Sequence, residues 1–367
     1  MNLYALTRRL IDIPSLSGDE DAATRWLASH LESLGYKVEL QEVAPHRANI
    51  IATTSTAPRL FLSTHIDTVP PHVASSEDDT HIYGRGSCDA KGIIAAQIFA
   101  AERLRAEGSK EIGLLFTVDE ELGSLGARAA NEHALAASCV YLINGEPTES
   151  KLATGSKGSL RLRLGVTGRA AHSAYPEHGD SAIERLLDVL ADVRRAVWPQ
   201  DDFFGATTCN IGTVSGGTRP NIIPAEASAE LQIRLVTESA RIKQQLEHLV
   251  AGRAQIEYLS VAEPVRLFAV EGFAREIMRF TTDIPYLPNW GTPLLLGPGS
   301  ILDAHTAHER IRKDELTEAV ELYARLATEL LSRAPQAERD TKGELNLNAE
   351  PKLNAAQNLT TEGASLK

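Results

Sequence analysis

The chain repeatedly builds short apolar runs and stops each one abruptly in polar or glycine-rich sequence. ANIIAT (48–53), RLFLST (59–64), EIGLLFTV (111–118), CVYLIN (139–144) and, much later, PLLLG (293–297) read as buried strands. Helical segments lie between several of them, notably Gly92–Glu107 and Leu125–Ala137. Strands apolar on both faces, alternating with helices, predict an α/β layer with a mostly parallel sheet flanked by helices.

Residues 3–35 read as a helix interrupted at Pro14. Its second part, Asp19–Leu34, places Ala22, Trp26, Leu27, His30, Leu31 and Leu34 on one stripe, and Gly35 suits a C-terminal cap. The middle of the chain has a different texture. GSLRLRLGV (158–166) alternates apolar and basic positions, as a half-exposed strand does. A helix over Ser181–Val197 follows, then strands Thr207–Val214 and Ala227–Val236, a helix Glu238–Leu249 and a strand Gln255–Leu259. That order, β-α-β-β-α-β, predicts a ferredoxin-like α+β unit inserted as a lid or dimerisation domain. The expected division is a first part of the main domain (1–157), the insert (158–265), the second part of the main domain (266–334, closed by a helix Lys313–Leu331) and a disordered tail (335–367), polar and with little to bury.

Composition narrows the partners. A chain of 367 residues exceeds what one core usually serves, in keeping with two domains. The net charge of −12 argues against nucleic acid or an anionic membrane. Cys88, Cys139 and Cys209 are odd in number and show no CxxC pattern, so neither a disulfide framework nor a thiolate metal site is indicated. The opening MNLYALTRRLIDIPS lacks the apolar core of a signal peptide, and no stretch could span a bilayer, so a cytoplasmic location is expected.

Metal-ligand residue types sit just beyond the apolar runs. RLFLST leads into His65 and Asp67, EIGLLFTV into Asp119, Glu120 and Glu121, CVYLIN into Glu146, and PLLLG, after a loop, into His305. Asp89 lies in GRGSCDAKG, a glycine-rich loop that opens the helix at Gly92. Singly, each has an ordinary reading as a structural histidine, a solvated acidic loop or a tight turn. Together they converge if the runs are parallel neighbours, because open α/β sheets gather ligands at the carboxyl ends of their strands. Two histidines with several carboxylates suit borderline-to-hard divalent cations. Glu120 and Glu121 alternate faces, so one can reach a metal while the other faces a water; spacing alone leaves open which does which.

STHIDTVP, YGRGSCDAKGIIAA, FTVDEELGS, NGEPT, GRAAHSAYPEHGDSAI, GGTRPNIIPAEASAELQIR and GPGSILDAHTAHERI follow one another between residues 63 and 311. In this order they resemble the dinuclear zinc metallopeptidase family of aminoacylases, acetylornithine deacetylases, succinyl-diaminopimelate desuccinylases and glutamate carboxypeptidases. The resemblance implies two divalent ions, Zn2+ or Co2+, in the catalytic main domain. His65 and Glu146 would hold one, Glu121 and His305 the other, with Asp89 bridging them. Asp67 would orient His65, and Glu120 would be the general base acting on a bridging water. His172 would help hold the substrate carbonyl, reaching into a partner subunit's site in a homodimer. Arg234 would clamp a substrate carboxylate with its planar fork, and Asn221 and Gly299, in the Gly297–Ser300 loop, would complete the site. His308 competes with His305, which is favoured by the His-x-x-x-Glu spacing to Glu309. Thr282-Asp283 is the best match to a Thr-Asp pair of the family, a cis peptide is expected after Asp89, and Cys88 is expected to pack.

The activity so implied is hydrolysis of an amide bond next to a free carboxylate. Deacetylation of N-acetylornithine, an amino-acid biosynthesis reaction, is the leading expectation. Dipeptidase, carboxypeptidase or desuccinylase activity on the same site is the alternative. A catalytically dead binding scaffold is the non-enzyme alternative, disfavoured because every expected position is filled. A nucleotide-binding role fails, since GRGSCDAKG lacks the GxGxxG and GxxxxGK[ST] spacings.

Overall fold

The computed structural model describes residues 1–333; the expected tail lies outside the described residues. A six-stranded sheet runs in the order Lys37–Ala44, Arg47–Thr53, Ile112–Thr117, Leu60–His65, Tyr141–Asn144, Thr292–Leu295. The last four are mutually parallel, while Arg47–Thr53 runs antiparallel to Ile112–Thr117 and pairs with Lys37–Ala44 as a hairpin. ANIIAT is thus strand, but reversed relative to its neighbours. Lys37–Ala44 escapes the apolar-run reading because KVELQEVA is half-exposed along its length.

Alternation along these strands sends side chains into two cores. Ile50, Ala52, Leu60, Leu62, Leu114, Phe116 and Ile143 face one layer, formed by helices Leu3–Ile11, Asp21–Ser33, Lys91–Ala106 and Lys313–Ser332. Ile51, Phe61, Leu115 and Leu142 face the other, built around Ala127, Ala130 and Trp290. Trp290 is fully buried, meets Phe61 edge-to-face at 4.8 Å between ring centroids, and donates its indole N–H to the Ala130 carbonyl at 2.9 Å. Gly113 tolerates no side chain, because a Cβ there would fall 2.3 Å from the Phe61 ring. The stripe on helix Asp21–Ser33 is Ala23, Leu27 and Leu31; Ala22 is exposed, one position off the expected face. Gly35, at φ +90°, ends the helix as expected.

Residues 158–262 carry the β-α-β-β-α-β order. Strands Thr208–Gly216, Glu226–Leu235, Gly158–Thr167 and Gln255–Ala262 form an antiparallel sheet in that spatial order. Helices Ala182–Arg195 and Ser239–Val250 cover one face, burying Leu160, Leu162, Leu164, Leu231 and Ile233 against Leu186, Val189, Ile242 and Leu246. Arg161, Arg163, Glu230 and Glu257 pair on the opposite face. Ser181 caps the first helix, its hydroxyl accepting the Glu184 amide. Among the described residues no helix is long and apolar enough to cross a membrane.

Candidate metal centre

Because four strands are parallel, the residues that follow them emerge at one edge. In the register His65 lies beside Thr117, and Ser63 and Leu295 lie beside Asn144. His65, Glu120, Glu121 and Glu146 therefore leave the sheet together. Asp89 joins them from the loop Gly84–Ala90 that opens helix Lys91–Ala106, with a cis peptide to Ala90 as expected.

Asp89 stands between two histidines. Its Oδ1 lies 2.9 Å from His65 Nε2 and its Oδ2 3.2 Å from His305 Nε2, and the same His305 nitrogen lies 2.8 Å from Glu121 Oε1. Ligand atoms of His65, Asp89 and Glu121 all fall within 4.8 Å of one another. His305, not His308, reaches the cluster, and it does so from a left-handed backbone at φ +63°, although both residues are exposed. Glu146 is buried beside this group, and its Oε1 has no hydrogen-bond partner among the described residues.

Charge in the cluster is out of balance. Burial, then the nearby Glu146, pushes the Glu120 carboxyl well above its ordinary range. Burial likewise raises Glu146, with Asp89 and Glu121 adding to the effect. Burial opposes a proton on His65, but hydrogen bonds to Asp67 and Asp89 outweigh it and raise the imidazole. His305 is pushed up to about 10 by its bonds to Asp89 and Glu121. Asp283, fully buried, accepts the Thr117 hydroxyl at 2.7 Å and is raised to about 6 by burial. Packed carboxylates, an orphaned carboxylate oxygen and two imidazole nitrogens suit divalent cations. Burial pushes the Cys88 thiol up, and its Sγ faces the Ser300 carbonyl and Glu309.

Asp67 ties the pieces together. Its carbonyl oxygen lies 3.0 Å from His65 Nδ1, and its carboxylate accepts the Glu120 and Glu121 amides at 3.1 and 3.2 Å. The Ser17 hydroxyl donates to the same carboxylate at 2.7 Å. Glu309 Oε1 accepts the amides of Gly86, Cys88 and Asp89, while Arg85 joins Glu309 Oε2 at 2.5 Å and the Thr306 carbonyl at 3.2 Å. That buried pair fixes the Asp89 loop to the His305 loop. Sequence reading missed Ser17 and Arg85, since their partners lie 50 and 224 positions away.

The remaining expected site residues make no hydrogen bond to the cluster among the described residues. His172 and Asn221 are exposed on neighbouring segments within residues 158–262, which pair through His172–Ile222 and Ser173–Asn221 contacts. The His172 ring accepts the Ala174 amide and meets Tyr175 edge-on. Arg234, half-buried on strand Glu226–Leu235, reaches the Thr281 hydroxyl at 3.3 Å and has no carboxylate ion pair among the described residues. Burial lowers its guanidinium, opposed by the charge of Glu120. Gly299 has φ +84°, and a Cβ there would lie 2.7 Å from that of Cys88, so glycine is required by the turn and its packing.

Comparison with known proteins fits this architecture. A peptidase M20 domain-containing protein of Schizosaccharomyces pombe is 38% identical over 336 residues, covering 89% of this chain and 84% of its own. A probable carboxypeptidase of Aspergillus niger is 37% identical over 371 residues, covering 89% of each. Among solved structures, an M20 family metallo-carboxypeptidase of Sulfolobus solfataricus superposes with a TM-score of 0.73 at 17% identity, covering 88% of this chain and 98% of its own. A tripeptidase of Staphylococcus aureus gives 0.70 at 24%, covering 88% and 95%; both likenesses bear on the fold alone. Residues 61–329 match the sequence model of peptidase family M20/M25/M40, and the chain belongs to that family.

Proposed function

We propose that the chain is a metal-dependent carboxypeptidase or dipeptidase, hydrolysing the amide bond that precedes a free carboxylate in a small peptide. The observation that carries this is Asp89, with one carboxylate oxygen toward each of His65 and His305, together with a half-buried Arg234 that feels the charge of Glu120 and has no carboxylate ion pair among the described residues. His65, Asp89, Glu121, Glu146 and His305 would hold two divalent cations, zinc or cobalt, which when bound supply Lewis acidity and an activated water. Glu120, which feels the charge of Glu146 and acts on Arg234, takes and returns a proton as general base. Asp67 holds the His65 imidazole and both glutamate amides in place. Arg234 receives the substrate carboxylate through its fork. His172, Asn221 and the loop at Gly299 complete the substrate contacts, with residues 158–265 as lid and dimerisation domain of a homodimer; the cytoplasm is the compartment proposed.

Naming of the curated relatives as probable carboxypeptidases supports the peptide reading over N-acetylornithine deacetylation, which shares the same free carboxylate and becomes the second reading. The test is release of free amino acid from a panel of free dipeptides, N-blocked dipeptides and N-acetylornithine. Metal-stripped protein is refilled with zinc or cobalt, and Glu120→Ala serves as control. Metal-dependent cleavage of peptides supports the proposal. Cleavage of N-acetylornithine alone replaces it with the deacetylase. Metal binding without cleavage of any substrate leaves a dead scaffold.

A further inference from the structure

Glu120 and Glu121 stand on a turn whose first residue, Asp119, has φ +70°. Aspartate tolerates this left-handed conformation better than most residues, yet the surroundings must hold it there. The holding group comes from another strand. Arg47 Nη2 lies 2.6 Å from Asp119 Oδ1 and 2.6 Å from Glu20 Oε1, and Arg47 Nε lies 2.7 Å from Glu20 Oε2. The Glu20 side chain is fully buried, Asp119 is 5% exposed and Arg47 14%.

Asp119 spends its remaining acceptors inside the turn. Its Oδ2 accepts the Leu125 amide at 3.3 Å, and its carbonyl accepts the Gly123 and Ser124 amides at 3.1 and 2.7 Å. Two residues beyond Arg47, Asn49 accepts the Val118 amide at 3.2 Å and donates to the Gly126 carbonyl at 2.8 Å. The turn is thus gripped at Asp119 by Arg47 and at the Glu120 and Glu121 amides by Asp67. Glu20 Oε1 also accepts the Gly18 amide, next to the Ser17 that donates to Asp67, so both grips share one anchoring segment.

A buried cation between two carboxylates is a weak source of stability, because desolvation cancels much of the attraction. Its planar fork does fix direction, which a lysine cannot reproduce. We infer that Arg47 is a positioning residue: anchored on Glu20, it fixes Asp119 and so aims Glu121 at the metal cluster and Glu120 at the scissile amide. The inference rests on the metallopeptidase function proposed above.

The test uses full-length wild type, Arg47→Lys, Arg47→Met and Asp119→Asn, stripped of metal and titrated with Co2+. The visible absorption of bound cobalt, its affinity by competition, thermal unfolding and peptide hydrolysis are read together. Arg47→Lys keeps the charge and loses the fork. It is expected to melt near wild type, yet to bind Co2+ about 10–100-fold more weakly with an altered spectrum, as groups behind metal ligands do. Its kcat is expected to fall while KM holds. Should Arg47→Met fail to fold, Arg47→Lys and Asp119→Asn decide the matter. Folded variants with wild-type cobalt spectrum, affinity and kcat overturn the inference. Wild type that binds cobalt but cleaves no peptide sinks the proposed function, while the affinity comparison still decides the role of Arg47. Wild type that binds no cobalt overturns both.

Discussion

Asp67 grips His65 twice, with its carbonyl oxygen 3.0 Å and its carboxylate Oδ1 3.4 Å from the same Nδ1. This leaves Nε2 free to point at Asp89. Since Asp67 also accepts the Glu120 and Glu121 amides and the Ser17 hydroxyl, its two oxygens serve four groups.

Asp67→Asn keeps the shape but replaces one acceptor oxygen with a donor that faces donors. Metal affinity is expected to fall about 10–100-fold. Thermal stability of the metal-free protein should drop by about 1–3 kcal/mol, the usual result of leaving buried donors unpaired. Metal competition and calorimetry on one preparation read both, and unchanged affinity would exclude Asp67 as the group that orients the cluster.

Removing metal should destabilise the fold. Asp89, Glu121 and Glu146 are held close together in a buried site that a cation would neutralise. A ligand present at about 1,000 times its Kd adds about 4 kcal/mol to the folded state. Scanning calorimetry in chelator and in excess zinc should therefore show a clear rise in Tm with metal. Equal Tm values in both conditions would mean that the cluster holds no ion.

Glu120→Gln is expected to separate catalysis from binding. Loss of a general base, the role proposed for Glu120, costs about 10²–10⁴-fold in rate, whereas the residues proposed to hold metal, His65, Asp89, Glu121, Glu146 and His305, are untouched. Burial and Glu146 already disfavour charge on Glu120, so the neutral variant should melt no lower than wild type. Metal affinity and Tm within error of wild type, with hydrolysis lost, is the expected pattern. Retained hydrolysis would move the base to another group.

Arg234→Met should act on substrates that end in a carboxylate and spare those that end in an amide. Hydrogen bonds to charged groups are worth about 1.5–3 kcal/mol, or roughly 10–100-fold in KM. Paired assays on a peptide and its C-terminal amide measure the difference. An equal loss on both would show that Arg234 supports the sheet end through Thr281 and takes no part in recognising the carboxylate.

Strand ends were the legible part of the site. Apolar runs such as RLFLST and EIGLLFTV mark buried parallel strands by hydrophobicity alone, and the polar residue that ends each run is where the sheet opens. His65, Glu146 and the Asp119–Glu121 run could be listed from that pattern, whereas the choice of Glu121, Asp89 and His305 as ligands came from the family resemblance. Arg47, Glu20 and Arg85 could not be listed, because a buried ion pair between remote segments leaves no periodic trace. Lys37–Ala44 was hidden for a related reason: as an edge strand it exposes Glu39 and Leu40 alike, so its pattern never becomes apolar. On helix Asp21–Ser33 the apolar Ala22 and Trp26 drew the predicted stripe slightly off Ala23 and Thr24, which are the buried pair.

By volume, Trp290 is the largest fully buried side chain among the described residues. Trp290 fills the core on the sheet face away from helix Lys91–Ala106, touching Phe61 from a short segment before strand Thr292–Leu295. Its indole N–H satisfies the Ala130 carbonyl near the end of helix Leu125–Asn131. Truncation to alanine leaves a cavity and removes one of the bonds to the Ala130 carbonyl, which keeps the His133 amide at 2.9 Å; large aromatic-to-alanine changes in cores cost about 3–5 kcal/mol. Trp290→Phe keeps much of the volume and loses the hydrogen bond, so it should cost about 1–2 kcal/mol, the transfer and pairing loss alone. Urea unfolding of both variants tests the ranking. A phenylalanine variant as unstable as the alanine one would assign the stability to the indole hydrogen bond, whereas the expected gap assigns it to packing against Phe61. Because helix Leu125–Asn131 follows directly from the turn that carries Glu120 and Glu121, the alanine variant should also weaken metal binding more than its loss of Tm alone predicts.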